Sequence, residues 1–147
     1  APVRHASRDE AGAAIAGCCV TNDVSVRDWQ HRTSEWLQGK TFESTMPLGP
    51  QLVTTDELSG DALAVTCEVD GVEVQRGVTS DLLFDPVTLV SYISDVITLL
   101  PGDVIATGTP AGVGHARTPP QYLTDGATVV TRIDELGELR NRCRAET

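Results

Sequence analysis

The chain has 147 residues, 40% of them apolar and 22% charged, the composition of an ordinary globular protein that buries roughly 70% of its unfolded surface as one domain. Its 21 acidic against 11 basic residues give a formal net charge of -10, which argues against nucleic acid as a partner, since that needs a basic footprint, and disfavours anionic membranes. No apolar run reaches membrane-spanning length and no basic-then-apolar leader is read at Ala1. Cys18, Cys19, Cys67 and Cys143 contain no Cys-x-x-Cys, so they read as reduced thiols in a cytoplasmic protein rather than a zinc knuckle or redox pair.

Ser7 or Asp9 is placed to cap a helix through the alanine-rich Glu10–Ala16, with Gly17 as its stop. Cys18 to Arg27 reads as a strand. From Asp23 to Arg27 it alternates, so Asp23, Ser25 and Arg27 share one face and Val24 and Val26 the other. The valines want the core, while the opposite face carries an anion, a hydroxyl and a cation. Asp23 is a natural hard-cation ligand, Arg27 a fork suited to a carboxylate, and Lys40 a point charge for an oxyanion. Residue types alone slightly favour an internal ion pair of Arg27 with Asp28 or Asp23, with Lys40 at the surface, since charged residues are common in strands.

Trp29–Leu37 is expected to form a short helix ended by Gly39. Gly39-Lys40-Thr41 is not a phosphate-binding loop, because position 34 is a serine and Pro47 comes too soon for the required helix. Gln51–Thr55 reads as a strand. Leu63, Val65, Cys67 and Val69 alternate with Ala64, Thr66 and Glu68 as a one-side-buried strand, and Asp70-Gly71 turns it back into Val72–Gln75. Thr79-Ser80-Asp81 opens a connector. Asp85-Pro86 starts the best helix, Pro86–Leu99, stopped by Pro101-Gly102.

Val104–Thr107 is expected to be a strand feeding Gly108-Thr109-Pro110-Ala111-Gly112-Val113-Gly114. The glycines let backbone N–H groups approach a ligand. They do not form a dinucleotide-binding fingerprint, because their spacing is wrong and no helix is expected after them. His115 just beyond the loop, like His5 and His31, reads first as a solvated histidine. Thr124-Asp125-Gly126 is a turn, Ala127–Ile133 a strand, Gly137 the centre of a last hairpin into Glu138–Asn141, and Arg142–Thr147 a frayed end. Short strands, hairpins and one good helix predict α+β with a mainly antiparallel sheet.

The ordered set Asn22-Asp23, Arg27-Asp28, Gln30, Gly39-Lys40-Thr41-Phe42, Pro47-Leu48-Gly49-Pro50, Asp70-Gly71, Gln75-Arg76-Gly77, Thr79-Ser80-Asp81, the segment Leu100–Gly114, and Gly137–Asn141 resembles the fumarylacetoacetate hydrolase family along nearly the whole chain. The resemblance implies a β-roll with one long helix, a homodimer, and an enzyme that cleaves, isomerises or decarboxylates small keto- and diketo-acids with Mg or Mn. It implies Asp23 as a metal ligand, Lys40 and Gln30 as catalytic residues facing the substrate, and Arg27, Gly108 and Thr109 as substrate-binding residues, Thr109 through a carboxylate. The family's further metal ligands, a Glu-x-Glu pair, have no counterpart here. The resemblance therefore implies a single domain, residues 1–147, that is the carboxyl-terminal part of a longer catalytic domain. A non-catalytic binding module and a purely structural dimer-forming piece are the rival expectations.

Overall fold

The computed structural model describes residues 1–60 and 62–146. Ser7 caps α1 (Arg8–Ala14) in a reciprocal capping box: its hydroxyl accepts from the Glu10 N–H while the Glu10 side chain takes the Ser7 N–H. The helix ends two residues short of the expected stop. Gly17 instead opens β1 (Gly17–Thr21), where a Cβ would lie 2.2 Å from the Val53 carbonyl oxygen, so the glycine serves strand approach rather than helix termination. β1 pairs antiparallel with β2 (Leu48–Thr54).

The expected strand through Arg27 stops at Thr21. Residues 22–26 continue without regular structure, and Arg27 opens a single helical turn, α2 (Arg27–Gln30). A separate 3-10 turn covers Trp36–Gly39, so the helix expected over Trp29–Leu37 is split in two.

The second sheet has four strands in the order β4-β3-β5-β6, all antiparallel: β3 (Ala64–Val69), β4 (Val72–Val78), β5 (Thr128–Ile133) and β6 (Gly137–Arg142). Asp70 and Gly71 both take positive φ, 50° and 79°, the twist that joins β3 to β4 in two residues. The carboxyl-terminal residues are pinned rather than frayed, since Cys143 N–H bonds Ala127 O at 2.8 Å and Ala145 N–H bonds Asp125 Oδ1 at 2.9 Å; Thr147 lies outside the described residues. The expected strand at 104–107 does not form. That segment has no regular structure, and its Ile105 packs against the cluster of Ala6, Ala11, Val90 and Leu99.

Two cores hold these pieces. α3 (Pro86–Val96), with Asp85 as N-cap and Pro86 in its first turn, packs Val90 against Ala6 and Ala11, with Leu99 closing the cluster. Val20, Val53, Leu63 and Leu136 fill the space between the two sheets. The architecture is thus α+β with two antiparallel sheets, and its longest helix has 11 residues.

Candidate active site

Beyond Thr21, alternate N–H groups of the chain still find partners on one neighbouring segment. Asn22 donates to Pro47 O at 3.3 Å, Val24 to Thr45 O at 3.3 Å and Val26 to Gly39 O at 2.9 Å. This half-extended path keeps Asp23 and Ser25 on a common side, as their alternation predicted, and both meet Lys40. The Lys40 ammonium donates to Asp23 Oδ2 and to Ser25 Oγ, each at 2.6 Å. Asp23 is 45% exposed and Lys40 26% at the side chain, so the cluster opens to solvent.

Arg27 does not share that face, because the chain has turned into α2. It donates instead to Gln30 Oε1 at 2.6 Å, and Gln30 is 2% exposed. Of the two ion pairs that residue types alone suggested for Arg27, neither forms: Lys40 takes Asp23. Gly39 explains why a glycine precedes Lys40, since a Cβ there would lie 2.6 Å from the Gln30 Cα and Cβ. Trp29 fixes the same corner through an edge contact with Phe42, centroids 5.4 Å apart, and through Arg32, whose guanidinium stands 3.5 Å over its ring.

Asn22 anchors the Asp23 segment to the other sheet. Its amide donates to the buried Thr131 hydroxyl of β5 at 2.9 Å, with the Cys67 sulfur 3.8 Å away. Burial pushes the Cys67 thiol up from its usual range, against the lowering bonds from Thr131 and Asn22, so it is a neutral structural thiol.

The segment Gly108–Gly114 docks on the edge strand β4. Gln75 Nε2 donates to Thr109 Oγ1 at 3.0 Å and to Pro110 O at 2.8 Å. Gly77 leaves room for Pro110, whose Cβ would stand 2.8 Å from an added one. Gly112 has φ +107° and sits where a Cβ would lie 2.2 Å from Val74 O. Arg117 ties the two sides by donating to Gly112 O and to Val74 O. At Gly112, then, the missing side chain serves contact with β4. Gly108 and Thr109 are exposed.

The two halves of the site meet. His31, directly after Gln30, and His115, directly after Gly114, have ring centroids 5.7 Å apart, and His115 Nδ1 lies 3.1 Å from the Tyr122 hydroxyl. The Asp23, Ser25 and Lys40 cluster opens to solvent on one side of this histidine contact and the exposed Gly108 and Thr109 lie on the other, while Gln30 lies buried beneath Arg27. Sequence reasoning passes over Gln75, Asn22 and Thr131 as site-forming residues. Asn22 and Gln75 stand within the family motifs, but Thr131 carries no local signal.

The donor set fits a hard divalent cation only in part. Asp23 supplies an accessible carboxylate, yet among the described residues no group of three or more His, Cys, Asp or Glu side chains converges. Mg²⁺ and Mn²⁺ accept one or two carboxylates completed by water and substrate oxygen, so Asp23 qualifies as one ligand and not as a whole site.

A fold of two antiparallel sheets with this ordered set of polar residues defines a recognisable class. The chain belongs to the fumarylacetoacetate hydrolase family: residues 1–144 match the model described as fumarylacetoacetate (FAA) hydrolase C-terminal. It is 44% identical over 142 residues to the human mitochondrial oxaloacetate tautomerase FAHD2A, covering 95% of this chain and 45% of that protein. Among solved structures it superposes on a fumarylacetoacetate hydrolase from Exiguobacterium antarcticum with a TM-score of 0.95 and 38% identity, covering 99% of this chain and 53% of that one. It also superposes on fumarylpyruvate hydrolase from Pseudomonas aeruginosa in complex with Mn2+ and pyruvate, with a TM-score of 0.87, 30% identity and coverage of 99% and 61%. The chain thus spans about half the length of the relatives it matches.

Proposed function

We propose that this chain contributes the substrate-facing half of an active site that acts on small keto- or diketo-acids through an enolate. The observation that carries the reading is the convergence of Asp23, Ser25 and Lys40 at 2.6 Å contacts on an open surface. The similarity to an oxaloacetate tautomerase and to a hydrolase crystallised with Mn2+ and pyruvate supports the substrate class and the use of a divalent metal. In the whole protein Asp23 is one ligand of Mg or Mn, which when bound supplies Lewis-acid polarisation of the keto oxygen.

The remaining roles belong to side chains of this chain. Lys40 holds the negative charge that develops on the keto oxygen as a proton leaves the neighbouring carbon or a C–C bond breaks. Ser25 and Asp23 hold the ammonium in place. Thr109 donates its hydroxyl to the substrate carboxylate, beside Gly108. Arg27 presents its guanidinium to the anionic substrate, and the buried Gln30 fixes the angle of that guanidinium. Arg27, bonded to the neutral Gln30 and not to a carboxylate, is the local cation that a chain of net charge -10 needs to attract an anion.

The test is turnover of oxaloacetate tautomerisation by the full-length protein. Lys40→Ala lowers kcat at least about tenfold; unchanged turnover removes Lys40 from the reaction. A second reading, a non-catalytic keto-acid binding module, is favoured by the single carboxylate at the metal position. Calorimetric titration of this chain with Mg²⁺ and oxaloacetate separates the two, since tight metal binding by the chain alone contradicts the single-ligand argument.

Homodimerisation and a cytoplasmic location belong to the same proposal. Exposed Leu83, Phe84, Tyr92, Val96 and Leu100 supply apolar surface for self-association, and four free thiols suit a reducing compartment.

A further inference from the structure

We infer that Gln75 is a positioning residue that sets the direction of the Thr109 hydroxyl and so makes this corner of the site selective for a carboxylate. The inference rests on the reading of Thr109 as a substrate contact. It begins with the orientation of the Gln75 amide, which two partners decide together. Its Nε2 lies 2.8 Å from Pro110 O and 3.0 Å from Thr109 Oγ1. A backbone carbonyl only accepts, so the atom facing Pro110 O must be the NH₂ group and not the amide oxygen. The second hydrogen of that NH₂ then reaches Thr109 Oγ1, where the hydroxyl oxygen accepts it.

A threonine hydroxyl owns one hydrogen. With Gln75 donating into Oγ1, that hydrogen cannot point at Gln75 and is free to point outward. Thr109 is exposed, and its loop meets the Arg27–Gln30 turn through His115 and His31, whose ring centroids are 5.7 Å apart. A carboxylate, which accepts and never donates, is the partner this hydrogen fits.

The loop does not depend on Gln75 for its place. Gly77 under Pro110, Gly112 against Val74 O, and Arg117 bridging Gly112 O and Val74 O all hold it on β4 independently. Changing Gln75 therefore alters the polarity at Thr109 while leaving the loop seated. The role is also one that sequence alone cannot assign, because Gln75 reads as a polar residue on a half-exposed strand.

The experiment uses the full-length protein with pyruvate as the carboxylate probe, measured by calorimetry, alongside KM and kcat for oxaloacetate. Thr109→Val sets the reference. Gln75→Met removes the donor at similar length; Gln75→Glu replaces it with an acceptor that claims the Thr109 hydrogen for itself. We expect pyruvate affinity and KM to worsen about threefold to tenfold in Gln75→Met and more in Gln75→Glu, with kcat within twofold of the parent and little change in Tm. If Thr109→Val weakens pyruvate but both Gln75 variants bind it like the parent, the inference is overturned and the reading of Thr109 stands. If Thr109→Val leaves pyruvate binding unchanged, the reading falls and the inference with it. Should Gln75→Glu not fold, Gln75→Met decides alone. A ligand-free check is nuclear magnetic resonance of the Gln75 side-chain amide: Thr109→Val shifts one of its two N–H protons, and no shift in either means the bond is not made.

Discussion

Gly39→Ala is the sharpest perturbation available beside the site. A Cβ at position 39 would lie 2.6 Å from the Cα and Cβ of Gln30 and 2.7 Å from its nitrogen, whereas carbon atoms prefer roughly 3.5–4.0 Å. None of those atoms is the far end of a flexible side chain. Either α2 or the turn before Lys40 must retreat by about 1 Å. Overpacking of this kind destabilises by about 1–3 kcal/mol, which in a domain of this size lowers Tm by roughly 3–10 °C. The displacement also matters chemically, because Lys40 is the next residue and its bonds to Asp23 and Ser25 are only 2.6 Å long. The assay is thermal unfolding together with pyruvate affinity, compared with Gly60→Ala, where an added Cβ meets nothing within 4 Å. Gly39→Ala is expected to lower both Tm and affinity while Gly60→Ala changes neither. A Gly39→Ala protein that melts with the parent and binds pyruvate equally well would refute the claim that Gly39 seats Lys40 against α2.

The same geometry sets other outcomes. Thr131→Val removes the hydroxyl that accepts from Asn22 at 2.9 Å and strands a part-buried amide. It should destabilise by about 1–3 kcal/mol and speed hydrogen exchange of the peptide containing Asp23, while Thr131→Ser restores both. Gly112→Ala places a Cβ 2.2 Å from Val74 O at φ +107°, so it should detach the loop and lower pyruvate affinity, with proteolysis rate at 108–114 as the direct check. Asp85 caps α3, and the Thr88 N–H, with Arg8 second, holds its carboxyl below the usual carboxylate range. A lowered pKa gives stability that is present above the unfolded value of about 3.9 and lost as pH falls through the folded one. Asp85→Asn keeps a good cap without the titration, so its Tm should match the parent near neutrality and fall less steeply below about pH 4.

How much of the fold and site is legible in the sequence depends on the range of the interaction. The caps of α1 and α3 and the Asp70-Gly71 turn are local devices and are readable as such. The sharing of a face by Asp23 and Ser25 is readable too, since alternation survives even where the ladder fails. Arg27 is misplaced by that reading because nothing in the valine alternation announces that the chain will turn into α2 after Val26. The strand expected at 104–107 does not form, because its apolar Ile105 is satisfied by packing on the helical cluster of Ala6, Ala11, Val90 and Leu99 and an apolar run alone does not supply a strand partner. Thr109 is visible only through family resemblance. Gln75, Thr131 and the meeting of His31 with His115 depend on contacts between residues far apart in sequence, which no local pattern encodes. Asn22, though part of a family motif, gives no hint that its amide crosses to β5.

The central claim is that a keto acid is held between Lys40 and Thr109. A crystal structure of the full-length protein with pyruvate tests it most directly. The account predicts the pyruvate carboxylate at hydrogen-bond distance from Thr109 Oγ1 and its keto oxygen turned toward Lys40 Nζ. Pyruvate bound with neither group in contact, or with its carboxylate on another part of the surface while Thr109 faces solvent, would contradict it.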